Sequence, residues 1–188
     1  MIKICLDAGH GGHDSGAIFD GLKEKDIVLS VVLRMKNILS LSKFIDLKLT
    51  RDEDIFIPLE NRVKIAKRHN SDYFVSIHTN ASLSPNVARG EELWVHKEDV
   101  LGKEYASIMT TWLDLAFEED KFRGIKEGNF YVLKYRACPS NLLEIGFINN
   151  SATNLKFKDS SVIDYISIQL CFGVYNVIRL IDIYKKNI

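Results

Sequence analysis

Two histidines and a few carboxylates carry the chemical signal in this chain. His10 stands in a glycine cluster, Gly9, Gly11, Gly12 and Gly16, just after a short apolar run at residues 2–6. His78 closes a second apolar run at 72–77, and Glu144 interrupts a third, Leu142-Leu143-Glu144-Ile145-Gly146. A carboxylate inside an apolar segment is costly without a partner, so Glu144 needs a role. Two imidazoles with one carboxylate are the protein ligand set of many catalytic zinc sites, which leave a fourth position for water. Glu24, directly after the glycine cluster, can supply that carboxylate, but by type so can Glu60, Glu91 and Glu92. Spacing does not choose among them, because the residues form no compact HExxH signature, and isolated histidines often serve structure instead.

The elements that must position these groups follow from periodicity. Ile27, Val28, Val31, Val32, Met35, Ile38 and Leu39 recur at helical spacing and predict an amphipathic helix over 24–41. Leu59, Val63, Ile65 and Ala66 mark a second helix. Strands are expected at 2–6, 45–49, 72–77, 92–96 and 141–145, a further helix at 103–117, and a long closing helix at 162–183. The run at 72–77 is largely apolar, as in a strand covered on both faces. Such alternation of strand and helix predicts an α/β fold with a mainly parallel twisted sheet flanked by helices on both faces. Its carboxyl edge is where ligands bind in such sheets, and His10, His78 and Glu144 all fall there.

With 188 residues, no internal repeat and no Pro/Gly/Ser linker, the chain reads as one catalytic domain over 1–188, long enough to bury a core without a structural metal. Its formal net charge is zero and its pI about 7.0, which argues against nucleic acid and against an anionic membrane surface. Cys5, Cys138 and Cys171 lie in apolar settings and read as reduced and structural. The N-terminal apolar run is too short for a signal-peptide core. Asp164, Gln169, Asn176, Arg179 and Asp182 interrupt the closing helix, which favours a packed core helix over a membrane span.

Bland readings cover the other candidates. The glycine cluster lacks the Lys-Ser/Thr ending of a phosphate-binding loop and fits better as backbone passing close to a metal. His13, His69 and His96 are expected to be solvated, Arg51 and Asp52 to tie a strand end to a neighbouring loop, and Trp94, Trp112 and Tyr131 to sit in the core.

The segments Leu6-Asp7-Ala8-Gly9-His10-Gly11-Gly12, Glu24-Lys25-Asp26, Thr50-Arg51-Asp52, Ser76-Ile77-His78-Thr79-Asn80-Ala81 and Glu144-Ile145-Gly146-Phe147-Ile148-Asn149-Asn150 resemble, in order, the motifs of the zinc-dependent N-acetylmuramoyl-L-alanine amidases of the Amidase_3 type. The likeness runs from about residue 2 to the closing helix. It implies a phosphorylase/hydrolase-like α/β fold, His10, Glu24 and His78 as zinc ligands, and Glu144 as the catalytic carboxylate. It also implies bacterial peptidoglycan as substrate, cut at the amide between N-acetylmuramic acid and L-alanine, with action at the cell wall as a phage-type endolysin or as a domain of a secreted autolysin. Ala8 departs from the proline of many members, but that position brings no ligand. Two other readings stand beside this one: a zinc peptidase cutting within the stem peptide, and a cell-wall binding or regulatory module with a vestigial site.

Overall fold

The computed structural model describes residues 1–117 and 121–187. In chain order the elements are β1 (Ile2–Ala8), β2 (Ile18–Phe19), β3 (Leu22–Lys23), α1 (Glu24–Leu39), β4 (Ile45–Leu49), α2 (Leu59–His69) and β5 (Tyr73–Asn80). They continue as β6 (Glu92–Val95), α3 (Val100–Leu115), β7 (Ile125–Glu127), α4 (Tyr131–Lys134), β8 (Ser140–Phe147), α5 (Ser151–Lys158) and α6 (Ser160–Lys186). Six strands form one sheet in the order β4-β1-β5-β8-β6-β7, parallel except for the antiparallel β6–β8 pair, while β2 and β3 make a small hairpin. The fold is therefore α/β with a mostly parallel sheet, as expected from the alternation.

Strand periodicity divides the apolar residues between two faces. Ile4, Leu6 and Ala8 of β1, Val75 and Ile77 of β5, and Leu143 and Ile145 of β8 join the larger core with residues of α1, α3 and α6. Their neighbours Cys5, Phe74 and Leu142 point the other way, into a smaller cluster with Ala66 of α2 and Val132 and Leu133 of α4. Cover on both faces is why these strands read as continuous apolar runs. The same parity assigns His78 and Glu144 to the thinner face, beyond Phe74 and Leu142 at the carboxyl ends of their strands.

Three differences from the sequence expectation are local, in the shortest elements, at α5 and at His96, while α6 packs as expected. The β2–β3 hairpin, β7 and α4 span only two to four residues each, too few to establish a period. Ahead of the closing helix lies a separate α5, ended at Asp159, whose side chain accepts from Ser161 N and so caps α6. By length and composition α6 is apolar enough to cross a membrane. Its buried stripe, including Ile163, Leu170, Val174 and Ile181, packs instead with α1 and α3 in the larger core. His96, expected in solvent, is buried, with Nδ1 accepting from Glu98 N at 3.3 Å and lying 3.3 Å from Arg136 Nη1.

A buried ion pair ties sheet, helix and loop together beneath the site. Asp7, 1% exposed, receives Arg62 Nη1 at 2.7 Å and Thr50 Oγ1 at 2.6 Å on Oδ1, and Ser76 Oγ at 2.6 Å on Oδ2. Burial opposes its ionisation, but the Arg62 guanidinium and the two hydroxyl donors outweigh that and hold the carboxyl below the ordinary aspartate range. Arg62 also donates to the carbonyls of Ile57, Ala8 and His10 at 2.9, 2.6 and 2.6 Å.

Replacing Arg62 by methionine leaves Asp7 buried and uncompensated, so urea unfolding should show a loss of about 3–5 kcal/mol. Because the folded carboxyl titrates below its unfolded value of 3.8, its stabilisation is complete above that pH and drains away as pH falls through the lower folded value. The Arg62→Met protein should lack this acid-limb dependence. A near-wild-type unfolding midpoint would contradict the assignment.

Candidate active site

The site begins in the loop after β1. Gly11 and Asp14 exchange backbone hydrogen bonds, Gly11 N to Asp14 O at 2.9 Å and Asp14 N to Gly11 O at 3.1 Å, which folds the glycine loop back on itself. The turn brings Asp14 Oδ2 to 2.9 Å from His10 Nδ1. A carboxylate accepting from Nδ1–H fixes the ring and leaves Nε2 facing inward. His10 itself has a positive φ of 58°, a conformation that costs a side-chain-bearing residue energy and must be held from outside.

Two buried arginines do the holding. Arg62 donates to the His10 carbonyl, as above, and Arg51 donates Nε to Ala8 O at 3.0 Å and Nη2 to Gly9 O and Lys25 O at 2.7 and 2.9 Å. Arg51 thus fastens the end of β1 to the first turn of α1. Lys25 completes the fastening through Gly12 O at 2.9 Å and Asp54 Oδ2 at 2.5 Å.

Glu24 opens α1 and is 4% exposed. Its Oε1 lies 3.1 Å from His10 Nε2 and 3.0 Å from His78 Nδ1 and accepts from Thr79 N at 3.0 Å; Oε2 accepts from Ala17 N at 3.0 Å. The two imidazoles meet edge to face, ring centres 5.0 Å apart. His10, Glu24 and His78 each offer one ligand atom, all within 4.8 Å of one another, a group that could hold a metal ion. Burial works against ionised Glu24, but hydrogen bonds to His10 and His78 prevail and hold its carboxyl well below the usual glutamate range. Burial likewise disfavours protonated His10, and the hydrogen bonds to Glu24 and Asp14 override it and raise the imidazole. Of the carboxylates that spacing left open, Glu24 is the one in this group. Glu60 pairs with Lys64 on the exposed side of α2, and Glu92 is engaged elsewhere.

Glu144 stands beside the group. It is in register with His78 across the parallel β5–β8 pair and with Glu92 across the antiparallel β6–β8 pair, so the three side chains form one row on the thinner face. Its Oε2 is buried with no hydrogen-bond partner among the described residues. Burial pushes its carboxyl up to about 7, with His78 opposing and the carboxylates of Glu24 and Glu92 adding to the rise. A carboxyl poised there exchanges a proton near neutrality.

Alongside lies a cleft of about 350 Å³, reached from His10 and His78 and walled by Phe56, Phe130, Tyr131 and Leu142. Tyr131, expected in the core, lines this cleft instead. Sequence reasoning also passed over Asp14 and Arg62. Asp14 carried a faint signal, four residues after His10 inside the glycine cluster; Arg62 carried none, as one of several basic residues on an amphipathic helix. His13 is exposed, and His69 pairs with Asp46 at 3.1 Å, remote from this group.

Two glycines leave room for the ligand atoms. A Cβ on Gly9 would come within 2.3 Å of the His78 ring, and one on Gly16, at a φ of 60°, within 2.5 Å of Glu24 Oε2.

The model of the family Amidase_3, N-acetylmuramoyl-L-alanine amidase, matches residues 4–176. The chain is 34% identical to N-acetylmuramoyl-L-alanine amidase CwlM of Bacillus licheniformis over 175 residues, 89% of this chain and 65% of that protein. It is 32% identical to the endolysin of Bacillus phage SPP1 over 182 residues, 94% of this chain and 66% of the relative. The chain thus spans just under two thirds of the length of both. Among solved structures, the catalytic domain of CwlV, an N-acetylmuramoyl-L-alanine amidase from Bacillus (Paenibacillus) polymyxa var. colistinus, superposes with a TM-score of 0.90 at 30% identity, over 95% of this chain and 99% of that one.

Gly9 has no positive φ, so alanine there meets the His78 ring and no backbone penalty. Gly9→Ala should keep all three donors yet weaken the group's hold on a divalent metal ion roughly 10–100-fold, the scale for disturbing a ligand's supports. Competition with a chromogenic chelator measures it, and unaltered affinity would show that the ring does not need that space.

Proposed function

Since the chain belongs to the Amidase_3 family of N-acetylmuramoyl-L-alanine amidases, we propose that residues 1–188 form one catalytic domain that hydrolyses the amide between N-acetylmuramic acid and L-alanine in bacterial peptidoglycan, using zinc held by His10, Glu24 and His78. The observation that carries this reading is the convergence of those three donors with Glu144 one strand away. The donor set suits zinc: two imidazole nitrogens, one carboxylate oxygen and a second carboxylate, Asp14, on the outer nitrogen of His10. A zinc ion there supplies Lewis-acid polarisation of the scissile carbonyl and acidifies water.

The remaining chemistry belongs to the chain. Glu144, with Oε2 unengaged, accepts a proton from the attacking water and passes it to the departing nitrogen, without which an amine leaves poorly. Arg51 and Arg62 hold the loop that carries His10. The cleft walled by Phe56, Phe130 and Tyr131 receives part of the muramyl peptide and excludes water from its apolar sides. Relatives named as a phage endolysin and as a Bacillus amidase support action at the bacterial cell wall.

Digestion of purified peptidoglycan should release stem peptides with a free L-alanine amino group and create no new reducing sugars. Dinitrophenyl labelling followed by hydrolysis reads this directly, and labelled diamino acid without labelled alanine would instead indicate a stem peptidase. In the same assay Glu144→Gln should retain about the wild-type zinc content and lose roughly 10² or more in rate, whereas His78→Ala should lose zinc. Activity that persists in a metal-free preparation would overturn the zinc assignment, and an inert zinc-loaded wild type would favour a binding module.

A further inference from the structure

The row that holds His78 and Glu144 continues one strand further and ends in positive charge. Glu92 of β6 faces Glu144 across the β6–β8 ladder and is 3% exposed. Its Oε1 accepts from Arg123 Nε at 2.7 Å and from Lys126 Nζ at 2.5 Å, while Oε2 accepts from Asn80 Nδ2 at 3.1 Å. Two cations thus meet one carboxylate, and at a single oxygen. Neutralising a buried glutamate calls for one cation, so this trio carries a net positive charge.

Glu92 engages only a fraction of the donors available. A guanidinium has five N–H groups and an ammonium three, and these two side chains remain 39% and 32% exposed. Aromatic rings fix both from the side: the Arg123 guanidinium carbon lies 5.2 Å from the centre of Phe147, and Lys126 Nζ lies 5.3 Å from that of Trp94. Cations already restrained by a buried carboxylate and a ring lose little freedom on gripping a ligand.

We propose that Arg123 and Lys126 form a carboxylate-binding subsite that selects stem peptides with a free carboxylate near the scissile amide. This rests on the amidase reading, and charge decides which side of the substrate lies here. The sugars on one side of the scissile bond are neutral, and the lactyl carboxyl is consumed in that bond. The stem peptide on the other side carries carboxylates, the first at its second residue, a D-glutamate joined through its γ-carboxyl. Strands lie about 4.8 Å apart, so the backbone of Glu92 is roughly 10 Å from that of His78, two strands away. An extended peptide covers about 3.3–3.6 Å per residue, which brings the second or third stem residue to the cations. Amidation of that α-carboxyl removes the charge the subsite reads.

The test uses the zinc-loaded enzyme and two soluble muropeptides that differ only at the second stem residue, D-isoglutamate in one and D-isoglutamine in the other. Wild type should show a kcat/KM about tenfold or more higher for the free acid, the scale of one charge-assisted hydrogen bond. Arg123→Gln and Lys126→Gln should each bring the ratio toward one, and Arg123→Lys should retain part of it. Each single variant leaves Glu92 with the other cation and with Asn80, and thermal unfolding verifies that it remains folded. Calorimetric titration with the dipeptide L-alanyl-D-isoglutamate, its γ-carboxyl blocked as the methylamide, and with the matching α-amide gives a second reading that needs no cleavage. Tighter binding of the acid by wild type, lost in the variants, supports the subsite. Equal efficiency and equal binding for the two forms, or ratios unchanged in both glutamine variants, overturns it. Failure to cleave either muropeptide refutes the amidase reading instead, and the dipeptide titration then still decides the subsite.

Discussion

Buried guanidinium groups on the carbonyls of residues 8–10 are what the rest of the site stands on. His10 occupies a left-handed conformation, at a cost of about 1–3 kcal/mol for a residue with a side chain. Hydrogen bonds from charged donors contribute roughly 1.5–3 kcal/mol each, and Arg51 and Arg62 place several on Ala8, Gly9 and His10. The balance favours the strained loop. Arg62 is itself neutralised by Asp7, which reaches Thr50 and Ser76, so a single buried network joins β1, β5, α2 and the glycine loop. Orientation of the His10 ring is then a consequence of backbone placed elsewhere, with Asp14 as the last constraint.

The same sheet edge holds two glutamates in opposite conditions. Glu24 is buried but accepts from Ala17 N and Thr79 N and faces both imidazoles, and it stays ionised. Glu144 has a buried oxygen without a partner among the described residues and is pushed up to about 7. Desolvation acts on both; the number of donors decides the outcome. One carboxylate is thereby suited to holding positive charge and the other to moving a proton, a division of labour between acids set by surroundings alone.

Asymmetry of cover explains where the opening lies. One face of the sheet is packed by the long helices α1, α3 and α6, the other by α2 and the single turn of α4. The cleft beside His10 and His78 opens on the thin face. Strand parity directs His78, Glu144 and Glu92 to that face, so the polar row and the opening coincide.

Much of this was legible in the residues themselves. Period-two and period-3.6 patterns marked the long elements, and the polar residues His10, His78 and Glu144, placed where apolar strands end, marked the edge of the sheet. Local pattern also made Glu24, Glu60, Glu91 and Glu92 equally eligible as the third donor, and resemblance rather than spacing preferred Glu24. The geometry separated them: Glu24 starts a helix whose first turn Arg51 ties to β1, whereas Glu92 lies two strands from His78 and binds Arg123 and Lys126. Arg62 and Tyr131 looked like a solvated charge and a core aromatic, because a side chain's partners more than fifty residues away leave no trace in its neighbours. Periodicity records which face a residue takes within its own element. Which elements meet at that face, and hence which charge is paired and which carboxyl is left free to carry a proton, is decided only when the chain closes on itself.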